Sequence, residues 1–402
     1  MTLPSQTELL TETELTRTPY RRRETFLIFG APLIEEDEID EVVATLRSGW
    51  IGRGPKTTKF EQEFSAYVQS EYAVAVNSCT AALHLALVSA NIGAGDEVII
   101  PAMTFCATAN AVIHSGATPI FIDCDPHTRL IDIKCILSAI TPKTKAIIPV
   151  HLAGSVCDMD EIDRIAKQHS LIVIEDAAHC IEGSYKNKKI GSISDFTCFS
   201  FYATKNLTTI EGGMLTTNNL AFAERARRLS LHGMDTDAWK RYSDSGYRHY
   251  DVTDAGFKYN MTDVNASLGL HQLRKIEKRY TLRQAIWDLY SRSLKDLPLE
   301  LPDKGDAESR HALHLYSPLV GKDSPLSRDK LVSALHKENI GTGIHYISLT
   351  LLTYYQQRYG YERGACSVAE DISDRTFSLP LSYSMTLADA EDVVRAMKHV
   401  LR

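Results

Sequence analysis

The chain has 402 residues, of which 44% are hydrophobic and 24% are charged, so it is long enough to bury a large core in two or three domains. Its 44 basic and 51 acidic residues give a net charge of −7, which argues against a nucleic-acid-binding function. No run of 18 apolar residues predicts a membrane span, and eight cysteines without a Cys-x-x-Cys pair predict reduced thiols in a cytoplasmic protein.

The first 26 residues form a polar segment that lacks the apolar core of a signal peptide. It contains the basic triplet Arg21-Arg22-Arg23, which is typical of a solvated tail. We therefore expect residues 1–26 to be a leader that is mobile or packs on a partner subunit.

Strands and helices are predicted to alternate through most of the chain. An amphipathic helix from Glu36 to Arg47 ends before Gly49. Apolar, β-branched runs predict strands at 72–76, 98–100, 119–122, 146–148, 171–174 and 195–201, with helices at 81–89, 107–113, 133–140 and 160–169 between them. This alternation predicts an α/β fold with a mainly parallel sheet covered by helices on both faces.

A long helical pattern from Thr262 to about Leu294 predicts the connection between two domains. We expect a large domain over residues 27–274 and a smaller C-terminal α+β domain over residues 275–402.

Two short motifs each follow a predicted buried strand. One contains Asp176 and His179, and the other contains Ser200 and Lys205. Because the carboxyl ends of parallel strands meet at the ligand-binding edge of a sheet, we expect the acid and the amine to share one crevice. An acid for a ring nitrogen, an amine for an aldehyde and a hydroxyl for a phosphate are the components of a pyridoxal phosphate site. Taken singly, Lys205 could be a solvated surface residue and Asp176 a helix cap.

A third segment runs from Val76 to Leu83, where a strand turns into an apolar helix. The start of such a helix offers free N–H groups and a positive dipole end to a phosphate, and the hydroxyls of Ser78 and Thr80 lie beside it. A plain N-cap without a ligand is the alternative. The three segments together favour the pyridoxal phosphate site.

From about Phe29 to its C-terminus, the chain resembles the DegT/DnrJ-type nucleotide-sugar aminotransferases, which are pyridoxal phosphate enzymes of fold type I. The resemblance is carried by ordered motifs: Ser48 to Ile51, Gly54-Pro55, Asn77 to Leu83, Gly95 to Val98, Thr104-Phe105, Ile148 to His151, Glu175 to His179, Lys205-Asn206, Glu211 to Gly213 and Leu379 to Leu381. It implies a mainly parallel, seven-stranded sheet in the large domain. The segments Gly256 to Asp263 and Ile340 to His345 look most like the branch that aminates a UDP-linked 4-keto-pentose.

The resemblance implies roles for individual residues. Lys205 would bind the cofactor covalently and move protons, and Asp176 would lie opposite the pyridine nitrogen. The other expected cofactor contacts are Thr80, the backbone of Ala81 and Ser200 for the phosphate, Phe105 for the ring face, and His179 for the ring hydroxyl. Phe105 could instead be an ordinary core aromatic, and His179 a buried histidine bonded to backbone.

In this family a neighbouring subunit also donates an asparagine to the phosphate. This chain has Lys258 at the asparagine position of that segment and Asn260 at the arginine position. We expect Asn260 to make the contact, in a homodimer with shared sites. Alternatively, both residues simply precede the long helix, with Thr262 as its N-cap.

The implied reaction transfers an amino group from L-glutamate to a nucleotide-linked keto sugar, with a 4-keto, UDP-linked substrate expected and 2-oxoglutarate as the second product. We expect the sugar to contact Trp50, Ile51, Arg53, His345 and Tyr346, and we expect no metal site. Two alternatives are a sugar dehydratase, in which a histidine would replace Lys205, and a non-catalytic regulator or scaffold on the same fold.

Overall fold

The structure, a computed structural model, describes residues 20–235 and 250–401. The helices of the large domain are α1 (Glu36–Ser48), α2 (Pro55–Val68), α3 (Cys79–Ser89), α4 (Cys106–His114), α5 (Ile133–Ala139), α6 (Met159–His169) and α7 (Leu220–Leu229). Its strands are β1 (Tyr72–Val76), β2 (Glu97–Pro101), β3 (Thr118–Ile122), β4 (Thr144–Ile147), β5 (Ile172–Asp176), β6 (Ser184–Tyr185), β7 (Lys188–Lys189), β8 (Phe196–Ser200) and β9 (Gly213–Thr217).

The long helix α8 (Asp263–Ser293) leads into the C-terminal domain. That domain contains β10 (Leu299–Glu300), β11 (Leu319–Val320), α9 (Arg328–Lys337), α10 (Thr353–Tyr359), α11 (Ser367–Arg375) and α12 (Leu387–Leu401). Short 3₁₀ turns lie at Leu152–Gly154 and Leu349–Leu351. None of the helices in the described ranges combines the length and apolar character needed to cross a bilayer.

Seven strands form the main sheet in the order β1-β9-β8-β5-β4-β2-β3. All neighbouring pairs are parallel except those of β9, which is antiparallel to both β1 and β8. Most residues of these strands are buried, as expected when helices cover both faces of a sheet. The predicted seven-stranded, mainly parallel sheet is therefore confirmed.

Helix α3 begins three residues after β1 and is apolar on nearly every side, which explains why it is buried against the sheet. The side chain of Ser78 caps it by accepting a hydrogen bond from the N–H of Ala81. Cys79 is therefore the first helical residue, and its φ is not positive. This geometry directs the N-terminus of α3 toward the carboxyl ends of the central strands.

Helix α2 takes its cap from a distant part of the chain. The carboxylate of Asp263, the first residue of α8, accepts hydrogen bonds from the N–H groups of Gly54, Lys56 and Thr57 at 2.8, 3.0 and 2.9 Å. A Cβ atom on Gly54 would lie 2.8 Å from the Asp263 carboxylate, so a larger residue would displace it. The starts of α2 and α8 are thereby fixed to each other.

A second hydrophobic core lies in the C-terminal domain, around Trp287, Tyr290 and Tyr316. Helix α8 is continuous through residues 274 and 275, so the predicted boundary falls inside a helix that contributes to both cores. The buried residues of α8 in the second core begin at Ile286, and Tyr280 and Leu282 pack against this core from the preceding turns.

Residues 20–27 are bound to the C-terminal domain. Arg23 forms ion pairs with Asp389 and Asp392 at 2.8 and 2.6 Å, and the Tyr20 ring stacks on His399 at 4.1 Å. The solvated-tail prediction is therefore wrong for Arg23, because two carboxylates of α12 hold its guanidinium group. Residues 1–19 of the predicted leader lie outside the described residues.

Candidate active site

A cavity of about 440 Å³ opens where β5 and β8 end and α3 begins. The predicted site residues that line it are Thr80, Phe105, Asp176, His179, Ser200, Lys205, His345 and Tyr346. The predicted residues that do not line it are Trp50, Ile51, Arg53, Ala81 and Asn260. Residues from both domains therefore meet in one cavity, at the sheet edge where a doubly wound fold binds its ligands.

Asp176 ends β5 and is only 5% exposed. One carboxylate oxygen accepts a hydrogen bond from the hydroxyl of Thr108 at 2.8 Å, and the other accepts one from the N–H of Ala178 at 3.1 Å. Burial raises the pKa of this carboxyl, although both hydrogen bonds and the nearby Lys205 oppose the rise. A buried carboxylate in this state is stabilised further by any cationic N–H group that enters the cavity.

Lys205 lies in the turn after β8, where its backbone N–H donates to the carbonyl of Tyr202 at 2.9 Å. Burial lowers the pKa of Lys205 to about 8, and the negative charge of Asp176 opposes the change. About a tenth of this amine is therefore neutral, and nucleophilic, at pH 7, far more than for a lysine with the usual pKa.

The N-terminus of α3 supplies hydroxyl and amide groups at another wall of the cavity. Ser78, Thr80 and Ser200 all line it. Gly213 of β9 passes so close to the turn that a Cβ atom there would lie 2.6 Å from the Cys79 nitrogen. The N–H of Ala81, by contrast, already donates to Ser78, so this amide is occupied by the helix cap.

Phe105 is 55% exposed and lies at the cavity, with its ring centroid 5.5 Å from that of Tyr346. An aromatic side chain this exposed is not part of a core, which excludes that alternative for Phe105. Its ring face is available to an aromatic ligand.

The hydrogen bonds of His179 determine its protonation. Its Nδ1 accepts the N–H of Ala153 at 3.2 Å, and its Nε2 lies 3.1 Å from the hydroxyl of Tyr346. Burial, followed by the charge of Lys205, lowers the pKa of His179 well below its usual value. The neutral ring therefore carries its proton on Nε2 and donates it to Tyr346. His179 is therefore a buried histidine bonded to backbone, as one of the two interpretations predicted, and it also lines the cavity.

Asn260 lies outside the cavity of its own chain. The backbone of Asn260 forms an isolated antiparallel bridge with that of Val76, and the side-chain Nδ2 donates to the carbonyl of Met261 at 3.2 Å. Its Oδ1 is buried without a hydrogen-bond partner among the described residues. Lys258, two residues earlier, is exposed.

The predicted sugar-contacting residues fall into two groups. His345 and Tyr346 line the cavity, whereas Trp50 and Ile51 are 43% and 52% exposed outside it. Arg53 lies 3.4 Å from Glu61, with both side chains largely buried, and the same carboxylate also pairs with Arg227 at 2.7 Å.

Sequence reasoning missed Thr108 and His314. The hydroxyls of Thr104 and Thr108 lie 2.8 Å apart, and their spacing of four residues at the start of α4 was a usable signal. His314 offered no local signal, because it reaches the cavity from the C-terminal domain through contacts with Asn206, which is 108 residues away in sequence.

These groups fit pyridoxal phosphate. Asp176 would hold the ring nitrogen, Phe105 the ring face, Lys205 the aldehyde, and the α3 N-terminus with Ser200 the phosphate. When bound, this cofactor supplies an electron sink for the carbon that loses or gains the amino group. The protein supplies the charges that orient it and the amine that moves the proton.

Comparison with known proteins supports this interpretation. Residues 32–398 match the model of the DegT/DnrJ/EryC1/StrS aminotransferase family. The chain is 47% identical to the spore coat polysaccharide biosynthesis protein SpsC of Bacillus subtilis, over 95% of this chain and 99% of that protein. It is 48% identical to an uncharacterized protein of Methanocaldococcus jannaschii, over 94% and 98%.

Among solved structures, the chain is similar to the putative sugar aminotransferase Spr1654 of Streptococcus pneumoniae in its PMP-form. The TM-score is 0.88 at 36% identity, covering 93% of this chain and 98% of that one. The PLP-form of the same protein gives a TM-score of 0.87. The chain belongs to the DegT/DnrJ/EryC1/StrS aminotransferase family and is a pyridoxal phosphate-dependent aminotransferase of fold type I.

Proposed function

We propose that the protein transfers the amino group of L-glutamate to the carbonyl carbon of a nucleotide-linked keto sugar, with a UDP-linked 4-keto sugar as the substrate. The products are an amino sugar for polysaccharide synthesis and 2-oxoglutarate. The observation that carries the proposal is the cavity, in which the Lys205 amine and the buried Asp176 carboxylate face a space that extends to His345 and Tyr346. The naming of SpsC as a polysaccharide biosynthesis protein supports a sugar substrate.

In this proposal Lys205 carries the proton between the substrate carbon and the cofactor. A base that works near neutral pH needs a pKa close to that pH, and burial brings the pKa of Lys205 to about 8. Asp176 would lie opposite the ring nitrogen, where its ionised form would stabilise the positive charge. The retained lysine opposes the dehydratase alternative, and the intact set of cofactor-binding groups opposes a purely structural role.

We further propose a homodimer in which the partner completes each site. Among the described residues that line the cavity, Lys205 is the only lysine or arginine. A nucleotide diphosphate and a donor carboxylate both require cationic partners. The exposed Lys258 is a candidate to supply one in trans, as is Asn260 after reorientation of its side chain.

All eight cysteines are free thiols, which supports a reducing compartment, and we propose the cytoplasm. Burial raises the pKa of most of these thiols, including Cys79 in the cavity wall, so they are weak nucleophiles.

The test is a substrate panel. The purified holoenzyme is incubated with L-glutamate and each of several UDP- and dTDP-linked keto sugars, and both the amino sugar and 2-oxoglutarate are measured by mass spectrometry. The proposal predicts equal amounts of the two products with at least one UDP-linked 4-keto sugar, and no product with the Lys205→Ala variant. Formation of 2-oxoglutarate without amination of any sugar would contradict it.

A further inference from the structure

His314 is a buried histidine that lines the cavity and belongs to none of the roles described above. Its backbone N–H donates to the carbonyl of Ala153 at 3.1 Å, which fixes this segment of the C-terminal domain against the large domain. Its side-chain Nδ1 lies 2.9 Å from the Oδ1 of Asn206, the residue that follows Lys205.

The orientation of the Asn206 amide is determined by its other contacts. Its Nδ2 donates to Glu182 at 2.9 Å and to the carbonyl of Ala312 at 3.2 Å. Exchanging the amide nitrogen and oxygen would place an oxygen against two acceptors, so the assignment is unambiguous. Glu182 itself forms an ion pair with Arg283 and accepts a hydrogen bond of 3.2 Å from Tyr383.

It follows that Asn206 Oδ1 accepts and that His314 Nδ1 carries a proton. Burial, followed by the charges of Lys205 and Arg283, lowers the pKa of His314 well below its usual value, so the ring is neutral. Nε2 then bears a lone pair and no proton. Within the described part of the chain, no group donates a hydrogen bond to this atom.

Whereas His314 offers a hydrogen-bond acceptor, the neighbouring His179 and Tyr346 supply hydrogen-bond donors. The ring of His179 lies 4.4 Å from that of His314 and donates its Nε2 proton to the Tyr346 hydroxyl oxygen, as described above. The proton of Tyr346 remains available to another acceptor. The cavity therefore has a fixed acceptor at His314 beside a fixed donor at Tyr346.

We infer that His314 accepts a hydrogen bond from a hydroxyl of the keto sugar, on the carbon next to the carbonyl, and is thereby a specificity-determining residue. The inference rests on the proposed function. It places the hydroxyl beside the reacting carbon because His314 lines the same cavity as Lys205 and is bonded to Asn206, the residue that follows Lys205.

The chemistry of the two substrates favours the sugar over the amino donor as the partner of Nε2, because the amino group of L-glutamate is the group that is transferred to the cofactor. The carboxylates of L-glutamate have no proton to donate, and a lone pair placed against them is repulsive. Sugar hydroxyls donate hydrogen bonds readily. A buried acceptor that loses its donor bears a desolvation cost, so the site should reject a sugar that lacks this hydroxyl.

The test compares a UDP-linked 4-keto-6-deoxyhexose with its 3-deoxy analogue in the wild type and two variants. Asparagine at position 314 can keep the bond to Asn206 but has no atom at the Nε2 position, whereas glutamine can place an acceptor there. The measurements are kcat/KM for each sugar and, separately, the absorbance change of the bound cofactor on adding L-glutamate alone.

The wild type should prefer the hydroxylated sugar by roughly tenfold or more. In His314→Asn the preference should approach one while the reaction with L-glutamate is unchanged, and His314→Gln should retain part of the preference. Undiminished preference in His314→Asn, or equal losses with L-glutamate and sugar in both variants, would overturn the inference and leave the proposed function intact. A wild type that responds to L-glutamate but aminates neither this sugar nor any member of the panel would overturn both.

Discussion

The hydroxyl of Thr108 donates to the carboxylate of Asp176 at 2.8 Å, across the space between α4 and β5. A threonine hydroxyl has one proton, and Thr108 uses its proton for Asp176. In the hydrogen bond between Thr104 and Thr108, Thr104 must therefore be the donor. Two threonines thus support the ionised form of an aspartate whose burial favours protonation.

Replacing Thr108 with valine should raise the pKa of Asp176 further and weaken its hold on a cationic ring nitrogen. The lost bond to a charged group corresponds to about 1.5 to 3 kcal/mol, so affinity of the apoenzyme for pyridoxal phosphate should fall by roughly tenfold or more. Titration of the apoenzyme with pyridoxal phosphate measures this affinity. Thr104→Val is the matched control and should have a smaller effect, because it leaves the direct bond in place. Equal effects of the two substitutions would contradict this account.

Asp176→Asn tests the charge of the carboxylate separately from its shape. Asparagine can still accept the N–H of Ala178, so thermal stability should change little. Loss of the charge opposite the ring nitrogen should cost about 3 to 5 kcal/mol of transition-state stabilisation, which lowers kcat by several orders of magnitude. Near-normal turnover in a folded, cofactor-loaded variant would remove Asp176 from its proposed role.

Lys205 should be the site of covalent cofactor attachment, and the reaction should depend on pH. Because its folded-state pKa of about 8 lies below the usual 10.5, the neutral fraction of the amine rises as pH increases through 8. The rate at which apoenzyme takes up pyridoxal phosphate should rise over the same interval. Borohydride reduction followed by peptide mapping should locate the adduct on residue 205; an adduct on another lysine would refute the assignment.

Shared sites can be tested by mixing two inactive variants. Lys205→Ala chains are combined with chains that carry both Lys258→Ala and Asn260→Ala, under conditions of proven subunit exchange. If the partner completes each site, a mixed dimer concentrates both lesions in one cavity and restores the other, so activity should return to a fraction of the wild type. The separate Lys258→Ala and Asn260→Ala enzymes show which residue matters. If both variants are inactive alone and exchange subunits without any recovery of activity, the sites are not shared between subunits.

Arg283 and Glu182 connect the domains, and removing one partner should be costly. Arg283→Met would leave the Glu182 carboxylate buried with only neutral donors, which should lower the free energy of unfolding by about 3 to 5 kcal/mol. The double variant Arg283→Met, Glu182→Gln should recover part of this loss because the unpaired charge is gone. Chemical denaturation of the apoenzyme measures the free energy of unfolding of both variants. Equal stability of the single variant and the wild type would show that the pair contributes nothing.

The parts of the site that were predictable from sequence are those that local pattern determines. Asp176 and Lys205 each follow a short buried strand, and parallel strands necessarily bring their ends to one edge of the sheet. The N-terminus of α3 was predictable for the same reason, since an apolar helix follows a strand there.

The unpredictable parts depend on contacts between distant segments. Nothing near Arg53 in sequence signals that Glu61 and the interior of the large domain hold its side chain away from the cavity. The orientation of β9 was similarly hidden, because a five-residue strand has no direction until its partners β1 and β8 are known. His314 required the fold of both domains.

The antiparallel pairing of β1 with β9 also constrains synthesis. Among the strands that the structure describes, β1 pairs only with β9, from Tyr72 opposite Thr217 to Val76 opposite Gly213. Until the ribosome has released residue 217, the growing chain carries an apolar strand with no edge to join. The capping of α2 by Asp263 delays completion of this region further. The amino-terminal part of the large domain must therefore remain unfinished, and dependent on protection from aggregation, until nearly two-thirds of the polypeptide has emerged.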